Sequence, residues 1–158
     1  AVAAMLSDLT LLCAQTAPTP AAPVLVVPTV FEAELCRDLI GLFESRERED
    51  SGYMVTDRAT GRTVLKRDPL HKRRRDCTIE DDALRDAVRI RIARRLAPEV
   101  HKAFQFTATR IERYLIARYD AVEGGYFRPH RDNTTKGTAH RRFAVTINLN
   151  AEAYEGGD

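Results

Sequence analysis

Gly125-Tyr126-Phe127-Arg128-Pro129-His130-Arg131-Asp132-Asn133, followed by Arg141-Arg142-Phe143-Ala144-Val145-Thr146-Ile147-Asn148-Leu149-Asn150, is the stretch on which the reading of this chain turns. Both runs alternate with a period of two, the signature of extended strands. In the first, Tyr126, Arg128, His130 and Asp132 share one face. His130 and Asp132 are therefore i and i+2 on a strand, with both side chains projecting into the same space. Pro129 has no N–H to give a ladder, so this strand lies at an edge or is bulged there. In the second run Phe143, Val145, Ile147 and Leu149 make an apolar face, and Ala144, Thr146 and Asn148 a small polar one. That contrast predicts a strand packed on helices on one side and lining a pocket on the other.

A His-x-Asp pair alone carries little weight. Four histidines and 23 acidic residues in 158 would yield about 0.6 such pairs by chance. The context adds weight: the pair follows the turn Ala121-Val122-Glu123-Gly124-Gly125, where glycine permits positive φ, and precedes the polar-lined strand. One imidazole and one carboxylate on a common face suit an octahedral metal with open positions, such as non-haem Fe(II). A further strand is expected over residues 107–120. Its alternation groups Ile111, Leu115, Ala117 and Tyr119 on the inward face.

Upstream the period is helical. A short buried strand is expected at residues 24–27, ended by Pro28. A helix over residues 32–47 follows, with Leu35, Leu39, Leu42 and Phe43 on one face. Residues 48–78 read as polar and irregular, with a turn at Thr60-Gly61-Arg62. Thr78 reads as the start of a second helix, with Asp81 as a capping-box-like partner. Leu84, Val88, Ile92 and Leu96 make its apolar stripe, and Pro98 marks its end or a kink.

With 44% hydrophobic and 30% charged residues the chain has the composition of one soluble globular domain. A net charge of +2 argues against a broad nucleic-acid footprint. The cluster Lys72-Arg73-Arg74-Arg75 is a local exception, but Asp76, Glu80, Asp81 and Asp82 balance it. A solvated face or the edge of a substrate groove is the better reading than nucleic-acid contact. No apolar run approaches a membrane span. Cys13, Cys36 and Cys77 form no close pair, so a disulfide framework or zinc site is not expected and a reducing cytoplasm is the default. Leu11-Leu12-Cys13-Ala14 has the look of a leader's end, but the first basic residue is Arg37, and a leader needs a positive n-region. Residues 1–14 read as a short apolar helix and 15–23 as a Pro/Ala-rich linker, either the tail of an upstream module or an ordinary extension. The domain proper is expected over residues 24–158.

From Tyr119-Asp120 through Gly125 to Asp132, on through His140 to Asn150, and to Tyr154-Glu155-Gly156-Gly157, the sequence resembles the 2-oxoglutarate/Fe(II) dioxygenases of the prolyl 4-hydroxylase type. The resemblance is close over residues 106–158 and looser over 24–105. It implies an α+β fold, a double-stranded β-helix (jelly roll) with supporting N-terminal helices. It also implies a 2-His-1-carboxylate iron site, in which His130 and Asp132 match two ligands. Tyr119 matches the position whose hydroxyl contacts 2-oxoglutarate; Thr146 and Asn148 match positions facing that cosubstrate. The implied cofactors are Fe(II) and 2-oxoglutarate, with ascorbate as an accessory reductant. The implied reaction is hydroxylation of a protein or small-molecule substrate, with release of succinate and CO2. The family's second metal histidine and its basic partner for the cosubstrate lie downstream of a second turn, expected at Gly156-Gly157, and His140 is too near His130 in sequence to substitute. The 158 residues are thus expected to be an incomplete catalytic unit, lacking the C-terminal strands. Arg128 and Arg131 flank the site, open to an acidic substrate or to surface ion pairs. A jelly-roll module that binds a metal or ligand without turnover is the alternative function.

Overall fold

The structure is a computed structural model that describes residues 23–155. The helix and linker expected before Pro23, and the Gly156-Gly157 turn, lie outside the described residues. Helix α1 spans Ala33–Ser45. Its residues Leu35, Leu39 and Phe43, four apart and so on one stripe, are all buried. Around them gather Val30, Phe31, Cys77, Ile79, Val88 and Ile116, which with α1 make the core. Residues 24–27 form no strand. Val24 and Val26 are exposed, and a run this short between Pro23 and Pro28 finds no neighbouring strand among the described residues.

Residues 48–78, which read as irregular, instead hold five short strands: β1 Glu49–Asp50, β2 Tyr53–Thr56, β3 Thr63–Lys66, β4 Lys72–Arg73 and β5 Arg75–Thr78. β2 and β3 are a hairpin in the register Tyr53↔Lys66 to Thr56↔Thr63. The turn falls at the expected place. Asp57 accepts from the Thr60 N–H and Oγ1, each at 2.7 Å, and Gly61 takes φ +67°, a conformation glycine adopts without strain.

Helix α2 spans Asp82–Arg91. It begins later than the sequence suggests, because Thr78 pairs with Leu115 in the sheet and its backbone is committed there. Asp81 is itself the N-cap, accepting from the Leu84 N–H at 2.7 Å. A π-helical turn, Ile92–Leu96, leads into α3, Ala97–Phe104. The cause is Pro98, which lacks an N–H and would crowd the carbonyl four residues back. The Ala97 N–H reaches five residues back to the Ile92 carbonyl instead. Arg91 and Arg95 both grip Glu32 at 2.6 Å, tying this helical arm to the start of α1. They hold the Glu32 carboxyl well down, at about 2, Arg91 contributing most.

β6, Leu115–Arg118, completes an antiparallel sheet in the order β1-β5-β6. β7, Tyr126–Phe127, pairs with β4 as Lys72↔Phe127 and Arg73↔Tyr126. The ladders are much shorter than the three long strands the sequence suggests. Residues 141–150 join no ladder, and Pro129 stops the second strand early. The apolar side of 141–150 packs only in part: Phe143 meets Phe104 and Phe106, each at 5.2 Å between ring centres, and Ile147 and Leu149 pack on the core, but Val145 is exposed. The architecture is α+β with small antiparallel sheets. No described helix is long and apolar enough to cross a membrane.

Candidate metal centre and its cavity

The two faces of the β5–β6 ladder do different work. Cys77 pairs with Ile116, and both are buried against the helices. Tyr119 is therefore not on the core-packing face. It lies on the opposite one, half exposed, beneath the Arg74 guanidinium at 5.7 Å from its ring centre. Arg74 in turn is held by Asp76 at 2.7 Å.

From Tyr119 the chain turns back sharply. Asp120 accepts from the N–H groups of Val122 and Glu123 at 2.9 and 3.2 Å, and its carbonyl from Gly125 at 2.7 Å. Gly124 takes φ +61°. A Cβ on Gly125 would lie 2.7 Å from the Asp120 nitrogen and 2.8 Å from the Tyr119 Cα, so only glycine closes this turn. β7 then docks on β4, and the Arg128 N–H donates to the His71 carbonyl at 3.0 Å.

Released from the ladder at Pro129, the chain presents His130 with its ring stacked on Phe127 at 3.6 Å. His130 Nδ1 lies 2.8 Å from the Arg128 carbonyl. A carbonyl only accepts, so Nδ1 carries the proton in that bond and Nε2 presents its lone pair. Nε2 lies 3.5 Å from Asp132 Oδ1. Two ligands on bonds of roughly 2.1 Å at a right angle stand about 3 Å apart, so the pair fits two adjacent corners of an octahedral ion. Among the described residues no third His, Cys, Asp or Glu completes a metal-binding group. His140 faces Glu112 at 3.3 Å instead.

His130 and Asp132 line a cavity of about 400 Å³ whose wall includes Tyr53, His71, Lys72, Phe127, Arg113, Arg131 and Arg141. Tyr119, Thr146 and Asn148 do not line it; the last two are exposed on the extended segment. Arg141 donates to the Asp132 carbonyl at 3.3 Å and clasps Glu112 through two nitrogens at 2.5 and 2.7 Å. That clasp, mainly, holds the Glu112 carboxyl down at about 2. The loop between Asp132 and Arg141 is pinned by the buried Thr135 and Thr138, whose hydroxyls lie 2.8 Å apart, and by the Gly137 N–H on Thr63 Oγ1 at 3.0 Å.

Lys72 is the residue of this wall that the sequence hid. It is only 6% exposed. Its ammonium donates to the Gly52 carbonyl at 2.9 Å and sits 4.4 Å from the centre of the Phe127 ring. Among the described residues it has no ion pair. Burial, and then the positive charge of Arg74 and Arg113, pull its pKa from 10.5 to about 8, against the smaller pull of Asp76 and Asp132. A pKa this far down means that the fold disfavours the charged ammonium, through burial first and its cationic neighbours second. The unfolded chain keeps the proton between pH 8 and 10.5 while the folded one has lost it, so this lysine adds stability as pH rises through that window. Urea unfolding of the metal-free protein is expected to show the rise, and Lys72→Met to remove it; identical pH profiles for the two would mean the ammonium is solvated.

In the run Lys72-Arg73-Arg74-Arg75, a candidate nucleic-acid patch by composition, the three arginines are spent internally. Arg73 donates to the Glu123 carbonyl at 2.8 Å, Arg74 is held by Asp76, and Arg75 pairs with Glu123 at 3.3 Å. Its period-two alternation was the available signal, since it separates Lys72 and Arg74 from the more outward Arg73 and Arg75. Arg113 and Arg141 come from segments with no such mark. Set against known proteins, the chain matches no family model, no curated protein and no solved structure.

Proposed function

We propose that the chain is the iron- and cosubstrate-binding part of a 2-oxoglutarate/Fe(II)-dependent oxygenase of the prolyl 4-hydroxylase type, hydroxylating a protein or small-molecule substrate. The observation that carries this reading is the convergence of His130 Nε2 and Asp132 Oδ1 at 3.5 Å on one cavity wall, with the histidine tautomer fixed by the Arg128 carbonyl. On this reading the ladders β1-β5-β6 and β4-β7 belong to the two sheets of a double-stranded β-helix. When bound, iron supplies the oxidative chemistry that turns 2-oxoglutarate to succinate and CO2. His130 and Asp132 hold the metal, and the stacked Phe127 keeps the imidazole from swinging. Tyr119, Thr146 and Asn148 serve the cosubstrate, and Arg74 orients the Tyr119 ring. A second reading, a jelly-roll module that binds a metal or ligand without turnover, draws on the pair supplying only two donors among the described residues.

Iron-dependent release of succinate from 2-oxoglutarate separates the two; metal binding with no succinate favours the module. Tyr119→Phe tests the finer assignment. It deletes one hydroxyl, worth roughly 1.5–3 kcal/mol where it meets a charged group. The KM for 2-oxoglutarate is expected to rise about tenfold or more, with metal affinity unchanged. Loss of metal affinity instead would move Tyr119 out of the cosubstrate role.

A further inference from the structure

We propose that the substrate presented to His130 and Asp132 carries a carboxylate, and that Lys72 and Arg113 hold it. This rests on the oxygenase reading and names the class of substrate for it.

The cavity wall sets four cationic side chains, Lys72, Arg113, Arg131 and Arg141, against one carboxylate, Asp132. Arg141 is committed to Glu112. Lys72, Arg113 and Arg131 have no ion pair among the described residues, although this chain pairs its arginines readily elsewhere, as at Glu32, Asp76 and Glu123. An exposed arginine without a partner means little. A buried lysine without one is different, because only the neutral Gly52 carbonyl and the Phe127 ring offset its desolvation within the fold, and no counter-charge does. Arg113 stands close enough to add repulsion to that ammonium. Two like charges kept together at the wall of an open cavity form a site for an anion, which would relieve both.

The cosubstrate is a poor claimant for these cations. The residues matched to it, Tyr119, Thr146 and Asn148, lie outside this wall. The cavity's size suits an amino-acid-sized group, and the rings of Tyr53, His71 and Phe127, tilted against one another at 4.3–6.3 Å between centres, offer an aromatic wall to its stem. A free acidic metabolite and an acidic side chain of a peptide share this chemistry.

The test compares probes of equal shape and different charge. The full chain, with cobalt(II) in place of iron and 2-oxoglutarate first absent and then raised to saturation, is titrated with L-glutamate and L-glutamine. A second series uses blocked nine-residue peptides centred on Glu or on Gln. The acidic member of one series is expected to bind at least about tenfold tighter, the scale of a charged hydrogen bond. The series that shows this identifies a free or a peptide-borne carboxylate. Lys72→Met and Arg113→Met are each expected to abolish the preference, Lys72→Arg to restore part of it, and Arg85→Met on α2 to leave it intact. Equal binding of acid and amide in both series overturns the proposal, and so does loss of the preference as 2-oxoglutarate is raised, which would give the cations to the cosubstrate. Circular dichroism and urea unfolding show whether each variant folds; if Lys72→Met does not, Arg113→Met and Lys72→Arg decide. Cobalt(II) absorption, expected to vanish in His130→Ala, reads the metal pair separately. Failure of the oxygenase reading and failure of the carboxylate site therefore appear in different measurements.

Discussion

Asp132→Ala is expected to lower divalent-metal affinity by at least about a hundredfold and to take 2-oxoglutarate turnover to background. The pair has one carboxylate, and a single imidazole is a weak holder of a hard cation such as Fe(II). Weakening the groups that merely orient a ligand already costs about 10–100-fold; removing the ligand costs more. The fold is expected to survive. The Asp132 side chain is half exposed and makes no ion pair with a Lys or Arg side chain among the described residues, its close partner being the His130 imidazole, while the bond from Arg141 goes to its backbone carbonyl and persists in alanine. Far-UV circular dichroism should therefore match the parent. Wild-type metal affinity in this variant would remove Asp132 from the site.

Phe43→Ala is expected to destabilise the protein by about 3–5 kcal/mol, the usual range for truncating a buried phenylalanine. Phe43 is 3% exposed. Its ring is flanked by the guanidinium groups of Arg48 and Arg118, each 5.5 Å from the ring centre, so the variant also loses two cation–π contacts. For a chain of this size the loss corresponds to roughly 10 °C in Tm. Val122→Ala, at a position 98% exposed, should change stability by less than about 0.5 kcal/mol. Urea unfolding measures both, and a loss below about 1 kcal/mol at Phe43 would contradict the packing of α1 on the sheet.

The helical half of the molecule was legible because its stripes are long. Leu35, Leu39 and Phe43, and then Leu84, Val88, Ile92 and Leu96, repeat often enough for the period to stand out. The strands between them were not, since a ladder of two to four residues leaves almost no alternation to read. Tyr53-Met54-Val55-Thr56 and Thr63-Val64-Leu65-Lys66 did carry strand composition on either side of a turn, but polar neighbours masked them. At the site, His130 and Asp132 could be paired from spacing alone, because two residues apart on an extended chain is a local fact. The contribution of Lys72 is not local. It reaches the cavity because β4 pairs with β7 in the register that sets Lys72 opposite Phe127, a register that neither segment announces by itself. Tyr119 shows the same limit: alternation grouped it with Leu115 and Ala117 on an inward face but could not say which face meets the helices, and it is Ile116, on the other face, that is buried there.

Mutational tolerance should differ sharply between Gly124 and Gly125, the two glycines that join Tyr119 to the segment bearing His130 and Asp132. Gly124 needs its backbone conformation, and a Cβ there would meet only the Arg73 guanidinium, in ordinary contact at 3.6 Å, so asparagine, which visits the left-handed region, is an expected replacement. Gly125 is hemmed by main chain, which cannot swing aside as a side chain would. Any replacement must push the end of β6 and the start of β7 apart, displacing Tyr119 and His130 together. In a saturation library selected for activity, position 124 should admit a small set of residues and position 125 a single one. A loss at position 125 would look like a double lesion, of cosubstrate and metal binding at once, although no atom of that residue touches either.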